Sequence, residues 1–147
     1  MNKPTHVIVH CSDSTWGSAS SLRSWHKARG WNDIGYNFVV CNSHVEPDKT
    51  FIFMDGSIEK GRDTDEEGAH CIGYNDRSIG VCLVGAKDFT TKQLDSLKIL
   101  LLEICRLYKI PAENVLGHGE TESGKAEGKT CPNFDVGAFR TYLKGRI

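Results

Sequence analysis

The stretch Ser78-Ile79-Gly80-Val81-Cys82-Leu83-Val84-Gly85 leaves the chain little choice of architecture. A strand sends alternate side chains to opposite faces, and after Ser78 this run has no polar side chain for either face, so the strand must be covered on both sides. A sheet with helices laid against it meets that demand. The helices can be read from the same sequence. Thr90-Thr91-Lys92-Gln93 has capping-box spacing, and Phe89 and Leu94 are placed as a hydrophobic staple. Leu94, Leu97, Leu101, Ile104 and Leu107 then recur at helical spacing to about Tyr108, with Pro111 just beyond. A second helix is expected from Ser20 to a stop at Gly30, and a third from a cap at Asp135 through Leu143.

Other strands are expected around this framework. In His6-Val7-Ile8-Val9-His10, His6, Ile8 and His10 share one face and Val7 and Val9 the other, with His10 at the strand's end. Tyr36-Asn37-Phe38-Val39-Val40-Cys41 and Val115-Leu116-Gly117-His118 are further strands, and Asp55-Gly56 marks a turn before Ile58. Segments 61–76 and 119–129 read as loops, rich in glycine and charge and without periodicity. The expected fold is α/β, α+β-like in its mixture: a single domain over residues 1–147 with a central mixed β-sheet flanked by helices.

Composition sets limits on function. With 18 basic and 19 acidic side chains the net charge is -1, which gives no field toward nucleic acid or an anionic membrane, so neither is expected as a partner. The apolar run Val7-Ile8-Val9 is too short for a signal-peptide core or a membrane span. The expectation is a monomer made and kept in a cytoplasm. Cys41, Cys82 and Cys105 sit in apolar runs and read as reduced, buried thiols.

Three residues end or follow apolar segments in a way that lets them face a cleft: His10, His118 and Cys131. Two imidazoles and a thiolate suit zinc and leave a fourth tetrahedral position open, as in catalytic sites. Spacing alone does not single them out, because they match no local metal motif. Among the other histidines, His6 reads as strand-edge packing, His26 as a surface or helix-packing residue, and His44 as solvated. His70, in Gly68-Ala69-His70-Cys71-Ile72-Gly73-Tyr74-Asn75, is a candidate for the substrate site.

Several blocks occur in a telling order: His6-Val7-Ile8-Val9-His10-Cys11-Ser12, Trp31-Asn32-Asp33-Ile34-Gly35-Tyr36-Asn37-Phe38, Gly68-Ala69-His70, Gly73-Tyr74-Asn75, the 78–85 run, Gly117-His118 and Thr130-Cys131-Pro132. Over nearly its whole length the chain resembles the zinc N-acetylmuramoyl-L-alanine amidases, a family that includes short phage lysozyme-amidases and peptidoglycan-recognition proteins. The resemblance implies zinc held by His10, His118 and Cys131, catalytic roles for Tyr36 and Lys129, and substrate contacts at His70 and Asn75. Segments 42–52 and 118–131 are longer than the family's, which makes Lys125 an alternative to Lys129.

The implied activity is cleavage of bacterial peptidoglycan between N-acetylmuramic acid and L-alanine. The expected setting is a phage endolysin, present in the host cytoplasm and reaching the wall only through a membrane lesion. The alternatives are a cytoplasmic muropeptide-recycling amidase and a recognition module that binds without cutting. The resemblance implies that recognition-only relatives typically lack the cysteine ligand, which is present here. A regulatory protein partner is neither indicated nor excluded by the sequence.

Overall fold

The computed structural model describes residues 3–147. Met1 and Asn2, part of the N-terminal segment read above for a leader, lie outside the described residues. The strands and helices in chain order are β1 (His6–Cys11), α1 (Ala19–Ala28), β2 (Phe38–Val40), β3 (Ile58–Lys60), β4 (Ser78–Leu83), α2 (Thr91–Tyr108), β5 (Val115–Gly117), α3 (Glu122–Ala126) and α4 (Val136–Leu143). The strands form one five-stranded sheet in the order β3-β2-β4-β1-β5. Only β3 runs antiparallel to its neighbour; β1, β2, β4 and β5 are parallel. The expected mixed sheet with helices is what the chain forms, and no helix among the described residues is long and apolar enough to cross a membrane.

The apolar run 78–83 is indeed central: every residue of β4 is buried. Register divides the strands between two cores. Val7, Val9, Ile79, Val81, Leu83 and Val40 point to one side and pack with α2 and α4 through Leu97, Leu101, Ile104, Phe139 and Leu143. Val39, Cys41, Cys82 and Val84 point to the other and pack with Ala19 and Leu22 of α1 and with Ile34. Burial of a leucine or isoleucine side chain contributes about 1.5–3 kcal/mol, so these two layers dominate stability. Cys41, Cys82 and Cys105 are buried free thiols, as expected.

Local signals account for the helix ends. The Gln93 N–H donates to Thr90 Oγ1 at 3.0 Å and the Thr90 N–H to Gln93 Oε1 at 3.1 Å, completing the capping box. Gln93 also ties the helix to the sheet, donating through Nε2 to the carbonyls of Val40 and Val84. α1 is capped by Ser18, and Gly30 follows at φ +94°, where a side chain would be strained.

Several boundaries differ from the sequence expectation. Tyr36 and Asn37 precede β2, which is only three residues long; Asn37 is fully buried, and its side-chain amide adds to the bonds its backbone makes with Gly80 and Gly61. Its Oδ1 accepts the Gly80 N–H at 2.9 Å and its Nδ2 faces the carbonyls of Arg62 and Asp63. His118 lies beyond β5 in a single 3-10 turn. The segment 119–129 holds the short helix α3, whose cap is Thr121 Oγ1 accepting from the Gly124 N–H. His6 is on an interior strand, not a sheet edge, and its ring meets Tyr74 edge-on.

Candidate active site

Parallel strands in an open sheet bring their carboxyl ends to one side, where α/β folds place their ligands. Here β1 ends at His10 and Cys11, and its neighbour β5 runs directly into His118. The 124–135 region then returns over the same edge. The Gly119 N–H donates to the Cys131 carbonyl at 2.8 Å, and the Cys11 N–H donates to Cys131 Sγ at 2.9 Å. In consequence one donor atom each from His10, His118 and Cys131 lie within 4.8 Å of one another, the only such group of three among the described residues.

The group sits in a cavity of about 710 Å³ whose wall includes His10, Tyr36, His70, Asn75, His118, Lys129 and Cys131. Lys125 is not part of that wall. The longer 118–131 segment is absorbed by α3, so Lys129 is delivered to the cavity and is close enough to His118 for its charge to lower the histidine's pKa.

The electrostatics favour neutral imidazoles with free lone pairs. Burial, then the neighbouring His70 and His118, hold the pKa of His10 well below the usual range. Burial is also the main cause of the lowered pKa of His118. The Cys131 thiol is pushed up by the adjoining Cys11 thiol and by burial. A cation reverses that tendency, since coordination deprotonates a thiol, and the Cys11 N–H already points at the sulfur. Two imidazoles, one thiol and an open side toward the cavity match a catalytic zinc donor set.

Tyr36 stands beside His10, ring centroids 5.0 Å apart. Burial and the nearby thiols of Cys82, Cys131 and Cys11 raise its pKa well above the usual value, so the phenol keeps its proton. Asn75 lines the cavity, but its Oδ1 accepts both the His70 and Cys71 N–H groups at 2.8 Å each. Only its amide NH2 side is left for other work. His70 is buried behind His10, with its Nδ1 2.9 Å from His10 Nε2 and its Nε2 3.3 Å from Ser78 Oγ. Both ring nitrogens are thus engaged by the protein, while the ring also forms part of the cavity wall. Cys11 and Ser78 were not foreseen. Cys11 carried a faint signal in following a strand-end histidine, and Ser78 carried none.

His26 is buried, not at the surface, and its Nδ1 accepts the Gly35 N–H at 2.9 Å. Burial, Arg29 and Arg62 pull its pKa down to about 4. The unfolded chain, with histidine near 6.5, therefore binds the extra proton first as pH falls, and His26 draws stability away between about 6.5 and 4. In chelator-treated protein the urea midpoint is expected to fall across that window. His26→Asn, which keeps an acceptor near the Nδ1 position, is expected to flatten the fall; an unchanged slope would refute the assignment.

A family profile described as N-acetylmuramoyl-L-alanine amidase matches residues 1–134. The chain belongs to that family. The endolysin of Escherichia phage T7 is 36% identical over 141 residues, spanning 88% of this chain and 81% of that protein. In structure the chain is similar to the N-acetylmuramoyl-L-alanine amidase LysC from Clostridium intestinale, 25% identical with a TM-score of 0.79, covering 96% of this chain and 85% of that one. It is also similar to a Drosophila PGRP-LB variant solved in complex with tracheal cytotoxin, 28% identical with a TM-score of 0.65, covering 92% and 86% of the two chains. The amidase family's reaction, hydrolysis of the amide between N-acetylmuramic acid and L-alanine, is the activity of this chain.

Proposed function

We propose that the chain is a zinc-dependent peptidoglycan amidase that acts as a phage endolysin, with His10, His118 and Cys131 as the metal ligands. The observation that carries this reading is the convergence of those donors at a cavity that also holds Tyr36 and Lys129. When bound, zinc supplies the Lewis acidity that activates water near neutral pH and polarises the scissile carbonyl.

The chain's own groups do the rest. The Tyr36 phenol, which stays protonated, donates a hydrogen bond to oxygen as negative charge builds there. The exposed Lys129 ammonium at the cavity wall opposes the same charge and orients the substrate carbonyl. The NH2 of Asn75 faces the stem peptide. The cavity volume of about 710 Å³ suits a muropeptide fragment better than a single amino acid.

The endolysin role rests on likeness to phage endolysins over most of both chains. In that role the protein acts on the wall after another component has opened the membrane. A recognition module without catalysis is disfavoured by the presence of Cys131 together with Tyr36.

Mass spectrometry of intact sacculi digested with purified protein tests the reaction. New free L-alanine amino termini are expected, without new reducing sugar ends. Reducing ends would make the protein a glycosidase and end this reading. Cleavage of soluble muropeptides with intact sacculi untouched would instead select the recycling amidase.

A further inference from the structure

A run of hydrogen bonds leads away from the ligand cluster into the protein, and its direction can be worked out from the far end. Ser78 Oγ lies 2.7 Å from the Tyr74 carbonyl oxygen. A carbonyl can only accept, so the single hydroxyl proton of Ser78 is committed there. Ser78 Oγ must then accept from His70 Nε2, 3.3 Å away. His70 is buried and has no carboxylate among its hydrogen-bond partners, so it carries one ring proton, and that proton is on Nε2. Its Nδ1 is therefore an acceptor. The group 2.9 Å from it, His10 Nε2, must donate. His10 is left with its lone pair on Nδ1.

The seat of His70 is built to hold this arrangement. A Cβ on Gly80 would lie 2.7 Å from His70 Cγ, and one on Gly68 would lie 2.7 Å from His70 Cδ2. The ring thus occupies space that only two glycines leave free. Its backbone is pinned as well, by the bond from its N–H to Asn75 Oδ1. A ring so confined cannot turn to offer Nε2 to His10.

We propose that His70 is a positioning residue for the metal centre: with Ser78 it locks His10 as the Nε2–H tautomer and aims Nδ1 at the metal. The inference rests on the zinc reading above and extends it. A ligating histidine commonly donates its second ring N–H to a carboxylate, carbonyl or water, which fixes its orientation and raises its basicity. Here a second, neutral histidine is the acceptor, and a backbone carbonyl at the end of the chain sets the direction.

Two measurements test this. In the wild-type protein, long-range proton–nitrogen correlation spectra of the imidazoles are expected to show both His10 and His70 protonated at Nε2. Protonation of His10 at Nδ1 in the metal-free protein would overturn the proposal. The second measurement is zinc affinity by chelator competition, together with the cobalt(II) absorption spectrum, for wild type, His70→Leu, His70→Asn and His118→Ala.

His70→Leu removes the acceptor and is expected to weaken zinc by about 10- to 100-fold and to shift the cobalt bands. His70→Asn restores an acceptor oxygen near the Nδ1 position and is expected to recover most of that loss. Wild-type affinity and spectrum in His70→Leu would overturn the inference while leaving the zinc site standing, because His118→Ala would still lose metal. A wild type that takes up neither zinc nor cobalt would instead remove the metal reading, and this inference with it. Should His70→Leu fail to fold, the tautomer measurement on wild type decides alone.

Discussion

His118→Ala is expected to abolish stoichiometric zinc and amide hydrolysis together. The substitution leaves His10 and Cys131, and two protein ligands hold zinc poorly where catalytic sites use three. Loss of the ion would lower stability, but the local turn does not depend on the imidazole. His118 sits in a surface turn that is held by its backbone, whose carbonyl accepts from Thr121 Oγ1 at 2.8 Å, and that bond does not need the imidazole. Elemental analysis of the purified variant should therefore fall from about one zinc per chain to near background, with turnover on sacculi at background too, while the circular dichroism spectrum stays native. A variant that keeps its zinc would show that His118 is not a ligand.

Tyr36→Phe and Lys129→Ala are expected to separate chemistry from metal binding. Each should keep zinc near one per chain and lose about a hundredfold or more in turnover, the usual loss when an oxyanion donor or general acid–base group is removed. Tyr36→Phe keeps the ring that lies against His10 and deletes one oxygen. Lys129 is exposed, and its backbone N–H bond to the Gly124 carbonyl survives loss of the side chain. Zinc content and hydrolysis rate measured on the same preparations check both. Wild-type turnover in Lys129→Ala would mean that its charge, although near His118, does not reach the reacting carbonyl.

Features encoded within a few residues were legible in the sequence. The alternation of β1 placed His10 on its face, the uninterrupted apolar run marked β4 as central, and Thr90 with Gln93 announced the start of α2. The Glu122–Ala126 helix was not legible, because five residues with no apolar stripe carry no periodicity and the Thr121 cap is visible only once the turn exists. For His26 the surface and helix-packing readings could not be separated in the sequence, because its neighbour Lys27 is exposed while it turns inward to meet Gly35. The set His10, His118 and Cys131 could be guessed from strand ends but was assigned as candidate metal ligands through family resemblance. The His10–His70 bond joins residues 60 apart in sequence, and only the β1–β4 register and the glycines that make room for the ring bring them together. No local pattern encodes such a pairing.

The placement of the three donors also bears on how the folded chain is fastened. His10 ends the first strand, while Cys131 lies in the last connection before α4, so an ion held by both closes nearly the whole polypeptide into one loop. Treated as a cross-link, a closure of that length restricts the unfolded chain by on the order of 4 to 5 kcal/mol in the chain-entropy picture. That is comparable to a large share of the total stability of a domain this size. An ion bound there would in this sense also be the clasp of the chain, and surroundings poor in it would leave a slacker protein more open to proteases as well as an idle one.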